Sequence, residues 1–344
     1  MKKLALFLLV VMLAASGAAV AIYSRVRAPY RGYAGAAQFV DIPPGAGTRA
    51  IGDRLVAAGV IRDQVTYRAA LWWSGQSRRL KAGEYRFDAP MTPAEVLGKI
   101  ARGEVYVINV TFPEGLTIAE MAKIFEAHGL GRASSFVAAA RDTSLVRAFD
   151  PAAHDLEGYL FPETYAVSRH TDASALVRLM VQQFDRVMTP DLRAAARARG
   201  LAVRELVTLA SIVEKETANP DERPVVAAVY ENRLRIGMGL QCDPTVIYAL
   251  ELEGKYRGSL HHDDLSFDSP YNTYRYPGLP PGPIASPGRT SLEAAAHPSS
   301  VDYLYFVSRR DGSHQFARSL AEHNRNVRKY LVPHARGKGN GAAR

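Results

Sequence analysis

From Leu4 to Tyr23 the chain runs for twenty residues without a charge, and Lys2 and Lys3 stand immediately before that run. As a helix rising about 1.5 Å per residue, the run spans about 30 Å of hydrocarbon, so the chain is addressed to a membrane. Its length suits a retained single-pass anchor. The clustering of the strongest apolar residues in Leu4 to Leu13, with small residues and Ala19-Val20-Ala21 behind them, also suits a signal peptide with a cleavage site, and both forms stay open. Arg25, Arg27 and Arg31 follow the run, so flanking charge alone does not orient it. Read as an export signal, the run places the remainder outside the cytoplasm.

The remainder is long enough for a sizeable core. With 344 residues, 47% of them hydrophobic, the chain is expected to fold as two domains beyond the membrane segment. A formal charge of +9 suits an anionic partner, but arginines are interleaved with Asp and Glu along the whole length, and no nucleic-acid-binding motif appears. No nucleic acid partner is expected. Cys242 is the single cysteine, which excludes an internal disulfide, a cysteine-based zinc site and a lipoprotein anchor near residue 20.

After a Gly- and Ala-bearing connector at about 27–37, Phe39 to Ile42 reads as a strand and Pro43-Pro44-Gly45 as a turn. Thr48 then caps a helix carrying Ile51, Leu55 and Val56 and stopped by Gly59. The same grammar returns seventy residues on: Val110, Phe112, Pro113 and Gly115 match Val40, Ile42, Pro43 and Gly45, and Met121, Phe125 and Gly129 match Ile51, Leu55 and Gly59. Between the copies, Gly83 to Phe87 reads as a strand and Thr92 to Ile100 as a helix. Such units resemble LysM-type modules, which hold glycans. Plain structural duplication accounts for the repeat equally well. The expected fold class is α+β: a membrane and juxtamembrane segment at 1–27, a small LysM-like strand-helix module at 38–131, a larger mixed α/β catalytic domain at 132–332, and a basic disordered tail at 333–344.

Ala202 to Thr217 forms the clearest helix, with Leu206, Leu209, Ala210 and Val213 on one face. At 100° per residue, Glu214 and Glu216 fall on opposite flanks of that face, too far apart to share a proton. A carboxyl at the edge of a core can be held protonated as a general acid. Two half-exposed glutamates paired with arginines fit the pattern as well, and periodicity does not choose. His261-His262-Asp263-Asp264 lacks the i, i+4 spacing of a zinc motif and reads as a solvated loop, so no metal is expected. Tyr271, Tyr274 and Tyr276, interleaved with Asn272 and Arg275, could stack on sugar rings or pack their own loop.

The run Ala210-Ser211-Ile212-Val213-Glu214-Lys215-Glu216-Thr217 resembles the signature of the endolytic murein transglycosylase family (YceG-like, MltG). Further stretches agree in order: Leu156 to Tyr165, Asn232-Arg233-Leu234, Leu240 to Tyr248, Tyr271 to Tyr274, Gly278 to Ala285, Ala295 to Pro298, Tyr303 to Val307, and His323-Asn324. Cys242 stands where the family carries a threonine, and a cysteine nucleophile is not expected.

The resemblance implies a lyase of the cell inner membrane with its catalytic domain in the periplasm, acting on peptidoglycan glycan strands without a cofactor. Glu214 is then the catalytic acid/base, protonating the oxygen that leaves muramyl C1 and taking the proton of the same sugar's C6 hydroxyl, to give a 1,6-anhydro end. Gln241, Asp243, Tyr271 and Asn272 are expected to line the cleft or orient Glu214, and peptidoglycan synthases are candidate partners. A hydrolase would instead need a second carboxylate roughly 5 to 9 Å away, for which Glu157, Glu163 and Asp243 are available. A non-catalytic peptidoglycan-binding scaffold is the alternative of a different class.

Overall fold

Gly45 and Gly115 adopt φ of +77° and +78°, and Gly59 and Gly129 adopt +68° and +70°. Positions seventy residues apart thus take the same left-handed turn, a conformation glycine reaches without penalty. The computed structural model describes residues 2–331, which form two compact units, one of 2–108 with 166–169 and one of 109–165 with 170–331. The tail expected at 333–344 lies outside the described residues.

The first unit contains α1 (Lys2–Arg27), β1 (Gln38–Ile42), α2 (Thr48–Ala57), α3 (Gln64–Ser74), β2 (Gly83–Phe87) and α4 (Pro93–Arg102). β1 and β2 pair antiparallel, with Val40 opposite Tyr85, so the segment from β1 to β2 is a β-α-α-β unit. Period-2 alternation puts Val40, Ile42, Tyr85 and Phe87 into the core, where Leu55, Val96 and Leu97 meet them. Thr92 and Glu95 close a reciprocal capping box at the start of α4, and Gly103 ends that helix at φ +75°.

α1 is one uninterrupted helix through Ala19–Ala21, and its last turn buries Val26 in this same core. The connector expected at 27–37 is tied down, with Tyr30 N–H donating to Met91 C=O at 2.9 Å and Gly32 N–H to Gly59 C=O at 2.8 Å.

The other copy of the repeat comprises β3 (Ile108–Thr111), α5 (Ile118–Ala127), α6 (Ala133–Ala139) and β4 (Thr164–Val167), in which β3 pairs with β4, and all of it but Ile108 and the end of β4 falls in the second unit. The division between the two compact units falls at 108, within β3. Then follow α7 (Ala173–Val187), α8 (Pro190–Ala198), α9 (Val203–Glu216), α10 (Arg223–Arg235), α11 (Asp243–Leu252), α12 (Arg289–Ala296), β5 (Tyr305–Ser308), β6 (His314–Ala317) and α13 (Leu320–Tyr330). The second copy belongs with the helices that follow it, because α6 packs on α7 and Gly115 N–H bonds Ser286 C=O at 2.8 Å.

α9 is the axis of this unit. Every residue from Leu206 to Val213 is buried, because α8, α10, α11 and α12 all pack against it. The single apolar face read from the sequence is thus a helix buried all round, and its two hydroxyl residues bond locally: Thr208 Oγ1 to Arg204 C=O and Ser211 Oγ to Thr208 C=O, both at 2.8 Å. Ser211 Oγ also accepts Ile284 N–H at 3.1 Å, tying the Pro/Gly-rich loop to the helix. The Asn-Arg-Leu stretch on α10 is a latch, since Asn232 bonds the carbonyls of Val301 and Tyr303, and Arg233 those of Leu304 and Leu240.

Candidate active site

Glu214 lies in the last turn of α9, where the helix macrodipole opposes a negative charge. Its side chain is only 5% exposed, and two groups from outside the helix meet it. Arg223, the first residue of α10, places Nη2 2.7 Å from Oε1, and the backbone N–H of Gly288, the cap of α12, donates to Oε2 at 2.9 Å. The carboxylate thus sits at the positive end of α12 as well as beside a guanidinium.

Arg223 is itself buried, and it carries a second carboxylate: Nη1 stands 3.5 Å from Glu114 Oε2 and also bonds Thr290 Oγ1. A cation at a helix N-terminus opposes the helix dipole, so α10 gains nothing from Arg223 at that position. Its place is explained by the two glutamates. Gly288 allows the close approach, since a Cβ there would overlap the Glu114 carboxyl. Beneath lies the turn between β3 and α5, where Gly115 N–H donates to Ser286 C=O and Ser286 N–H to Leu116 C=O, both at 2.8 Å. Lys215 Nζ donates to Gly115 C=O at 3.2 Å. An open cleft of about 500 Å³ includes Thr290 in its lining, with Pro220, Arg289, Glu293 and His297.

The second repeat copy therefore builds one wall of the site. Glu114, Arg223 and Gly288 were not singled out in the sequence. For Glu114 a signal existed: the repeat places Pro44 at the matching turn position, so the turn itself does not require the carboxylate. For Arg223 and Gly288 no local pattern offers one.

Glu216 turns elsewhere, as its opposite flank suggested. It accepts from Cys242 Sγ at 3.0 Å, and burial raises its carboxyl above the usual range. Burial, with the Glu216 carboxylate beside it, pushes the Cys242 thiol well above the ordinary thiol range, which leaves it a poor nucleophile.

Among the described residues no hydrogen bond joins Gln241, Asp243, Tyr271 or Asn272 to Glu214. Gln241 is exposed and held at φ +50° ahead of α11, and Asp243 accepts the Tyr274 hydroxyl at 2.6 Å. Tyr271 packs edge-on against Tyr248, ring centroids 5.0 Å apart. Asn272 has no exposed surface and spends its side chain on the backbones of Leu265, Phe267 and Tyr274, so it shapes the loop without meeting solvent.

A match to the YceG-like family model covers residues 40–329. The chain belongs to the YceG-like family. An endolytic murein transglycosylase of Bacillus subtilis (strain 168) is 31% identical over 308 residues, 85% of this chain and 84% of that one. The endolytic murein transglycosylase of Streptococcus pneumoniae serotype 2 is 30% identical over 322 residues and is longer, the match covering 58% of it. The crystal structure of a YceG-like protein from Listeria monocytogenes superposes with a TM-score of 0.58 at 31% identity, over 84% of this chain and 98% of that one.

Among the described residues, none of the three carboxylates considered as second catalytic groups shares a hydrogen-bond partner with Glu214. Glu163 and Asp243 are exposed, whereas Glu157 is buried and caps α5, accepting Ile118 N–H at 3.2 and 3.1 Å and the Tyr248 hydroxyl at 3.4 Å. Burial pushes its carboxyl up to about 8, against which the Ile118 N–H works. Folded Glu157 is then protonated at neutral pH, while the unfolded chain releases that proton above about 4.5. Its stability contribution is complete below the unfolded value and declines as pH rises toward about 8, by up to about 1.4 kcal/mol per pH unit. Urea denaturation between pH 5 and 8 is expected to show a shallower decline for Glu157→Gln than for wild type. Equal slopes would contradict this assignment.

Proposed function

We propose that this chain is an endolytic peptidoglycan lytic transglycosylase that cuts the MurNAc–GlcNAc bond within nascent strands and leaves 1,6-anhydroMurNAc ends. The observation that carries the reading is the placement of Glu214: one buried carboxyl oriented by Arg223 and the Gly288 N–H, within the motif that defines the resemblance. Relatives named endolytic murein transglycosylases support it.

In the proposed reaction, Glu214 gives its proton to the glycosidic oxygen as the muramyl C1–O bond breaks. It then takes the proton of the C6 hydroxyl while O6 bonds to C1. The nucleophile belongs to the substrate, so effective molarity replaces a bound water, and one carboxyl suffices. Arg223 keeps Glu214 in place through both transfers. Gln241, Asp243 and Tyr271 remain candidates for contacting the sugar chain, with Asn272 supporting their loop.

We read the β-α-α-β unit from β1 to β2 as a LysM-like module that holds glycan. With α1 as a retained anchor in the inner membrane and Lys2 and Lys3 on the cytoplasmic side, the catalytic unit works in the periplasm. Strands emerging from membrane-bound synthases then meet it, and cleavage limits their length.

Mass spectrometry of fragments released from purified glycan strands tests this reading. Anhydro ends are expected. Reducing ends would replace the lyase with a hydrolase, for which Glu114 becomes the second carboxylate to examine. Binding with intact strands would favour a scaffold.

A further inference from the structure

α3 carries an apolar and basic face that none of the described residues of its unit covers. Val65, Arg68 and Trp72 are exposed at i, i+3 and i+7, hence on one side of the helix, and Trp72 is 86% exposed. Trp73 beside it is 56% exposed and tilts against Tyr23 of α1, ring centroids 5.2 Å apart. An exposed tryptophan pair costs solubility unless something covers it.

What covers it follows from where α3 sits. Tyr23 is the last apolar residue before Ser24 and the first charge, Arg25, so in a membrane crossed by α1 it marks the level at which the helix leaves the hydrocarbon. Arg25 of α1 pairs with Asp63, the cap of α3, at 3.5 Å, and the α1 core contact through Val26 locks the two helices into one compact unit. Trp73 is therefore held at the level of Tyr23, where aromatic side chains prefer to lie because their rings are part apolar and part polar. Beyond α3 come Arg78 and Arg79, both exposed, and Arg27 lies over the Tyr23 ring at 5.4 Å. Cations at this level suit anionic phospholipid headgroups.

We infer that the outer face of α3 is a lipid-binding surface, with Trp72 and Trp73 seated in the headgroup layer of the bilayer that α1 crosses and with Arg68, Arg78 and Arg79 against anionic lipid. The first unit is then fixed on the membrane by two elements, α1 through it and α3 along it.

Trp72 and Trp73 are the only tryptophans, so the protein's indole fluorescence reports this face alone. Trp73 abuts α1 and would sense lipid in any case. The decisive variant is full-length Trp73→Phe, which leaves Trp72 as the one reporter. It is to be reconstituted in phosphatidylcholine/phosphatidylglycerol vesicles containing a phospholipid spin-labelled near the headgroup. The expected result is a blue-shifted emission that loses most of its intensity to the spin label and resists aqueous iodide. Water-like emission, quenched by iodide as strongly in vesicles as in detergent, would overturn the inference. So would an emission that responds only to added glycan strands, which would assign the face to sugar.

Discussion

Glu214→Gln is expected to lower strand cleavage by about 10³-fold or more while the protein stays folded, because a single group both gives and takes a proton and an amide does neither. The variant is nearly isosteric. Its amide can keep one of the two partners that the carboxylate holds, Arg223 Nη2 at 2.7 Å or Gly288 N–H at 2.9 Å, so the stability loss should stay near that of one charge-assisted hydrogen bond, about 1.5–3 kcal/mol. Release of anhydro fragments, followed over time beside a thermal melt, separates the two effects. Residual cleavage within tenfold of wild type would remove Glu214 from the chemistry.

Arg223→Met is expected to be the most destabilising single change in the site. It leaves the Glu214 carboxylate, 5% exposed, without its counter-charge and frees Glu114 and Thr290 from their common partner. Breaking a buried ion pair from one side costs about 3–5 kcal/mol, because the remaining charge is still desolvated. Cleavage should fall too, since nothing then fixes Glu214 against the Gly288 amide. The double variant with Glu214→Gln strands no buried charge, Glu114 being half-exposed, so it should be more stable than the sum of the two single losses predicts, by about 1–3 kcal/mol. Urea denaturation of all four proteins measures that coupling. A loss below about 1 kcal/mol for Arg223→Met, or strict additivity, would mean that the pair is not the unit described.

Both predictions rest on contacts that cross from one element to another, and most of them join distant stretches of sequence. Glu214 to Gly288 spans seventy-four positions and Arg223 to Glu114 spans one hundred and nine. Glu157 shows the same limit. In the sequence it was a spare carboxylate for hydrolysis, and in the fold it caps α5 under Tyr248. Asn272 looked able to bond a sugar, yet its amide is consumed by its own loop.

Properties that depend on neighbours in the chain were legible from residues alone. The twenty uncharged residues predict a spanning helix, the spacing of glycines and apolar positions predicts the duplicated strand, turn and helix, and the motif on α9 points to Glu214. Hydrogen bonding along a helix and alternation along a strand are local, so their periods are written in sequence. Tertiary packing decided the rest. It buried α9 on every side, placed the second repeat copy in the same compact unit as α9, and brought Arg223 and Gly288 to the Glu214 carboxylate with Glu114 on the far side of the Arg223 guanidinium. Such convergence is a matter of which surfaces fit together in space, and it leaves no period to read.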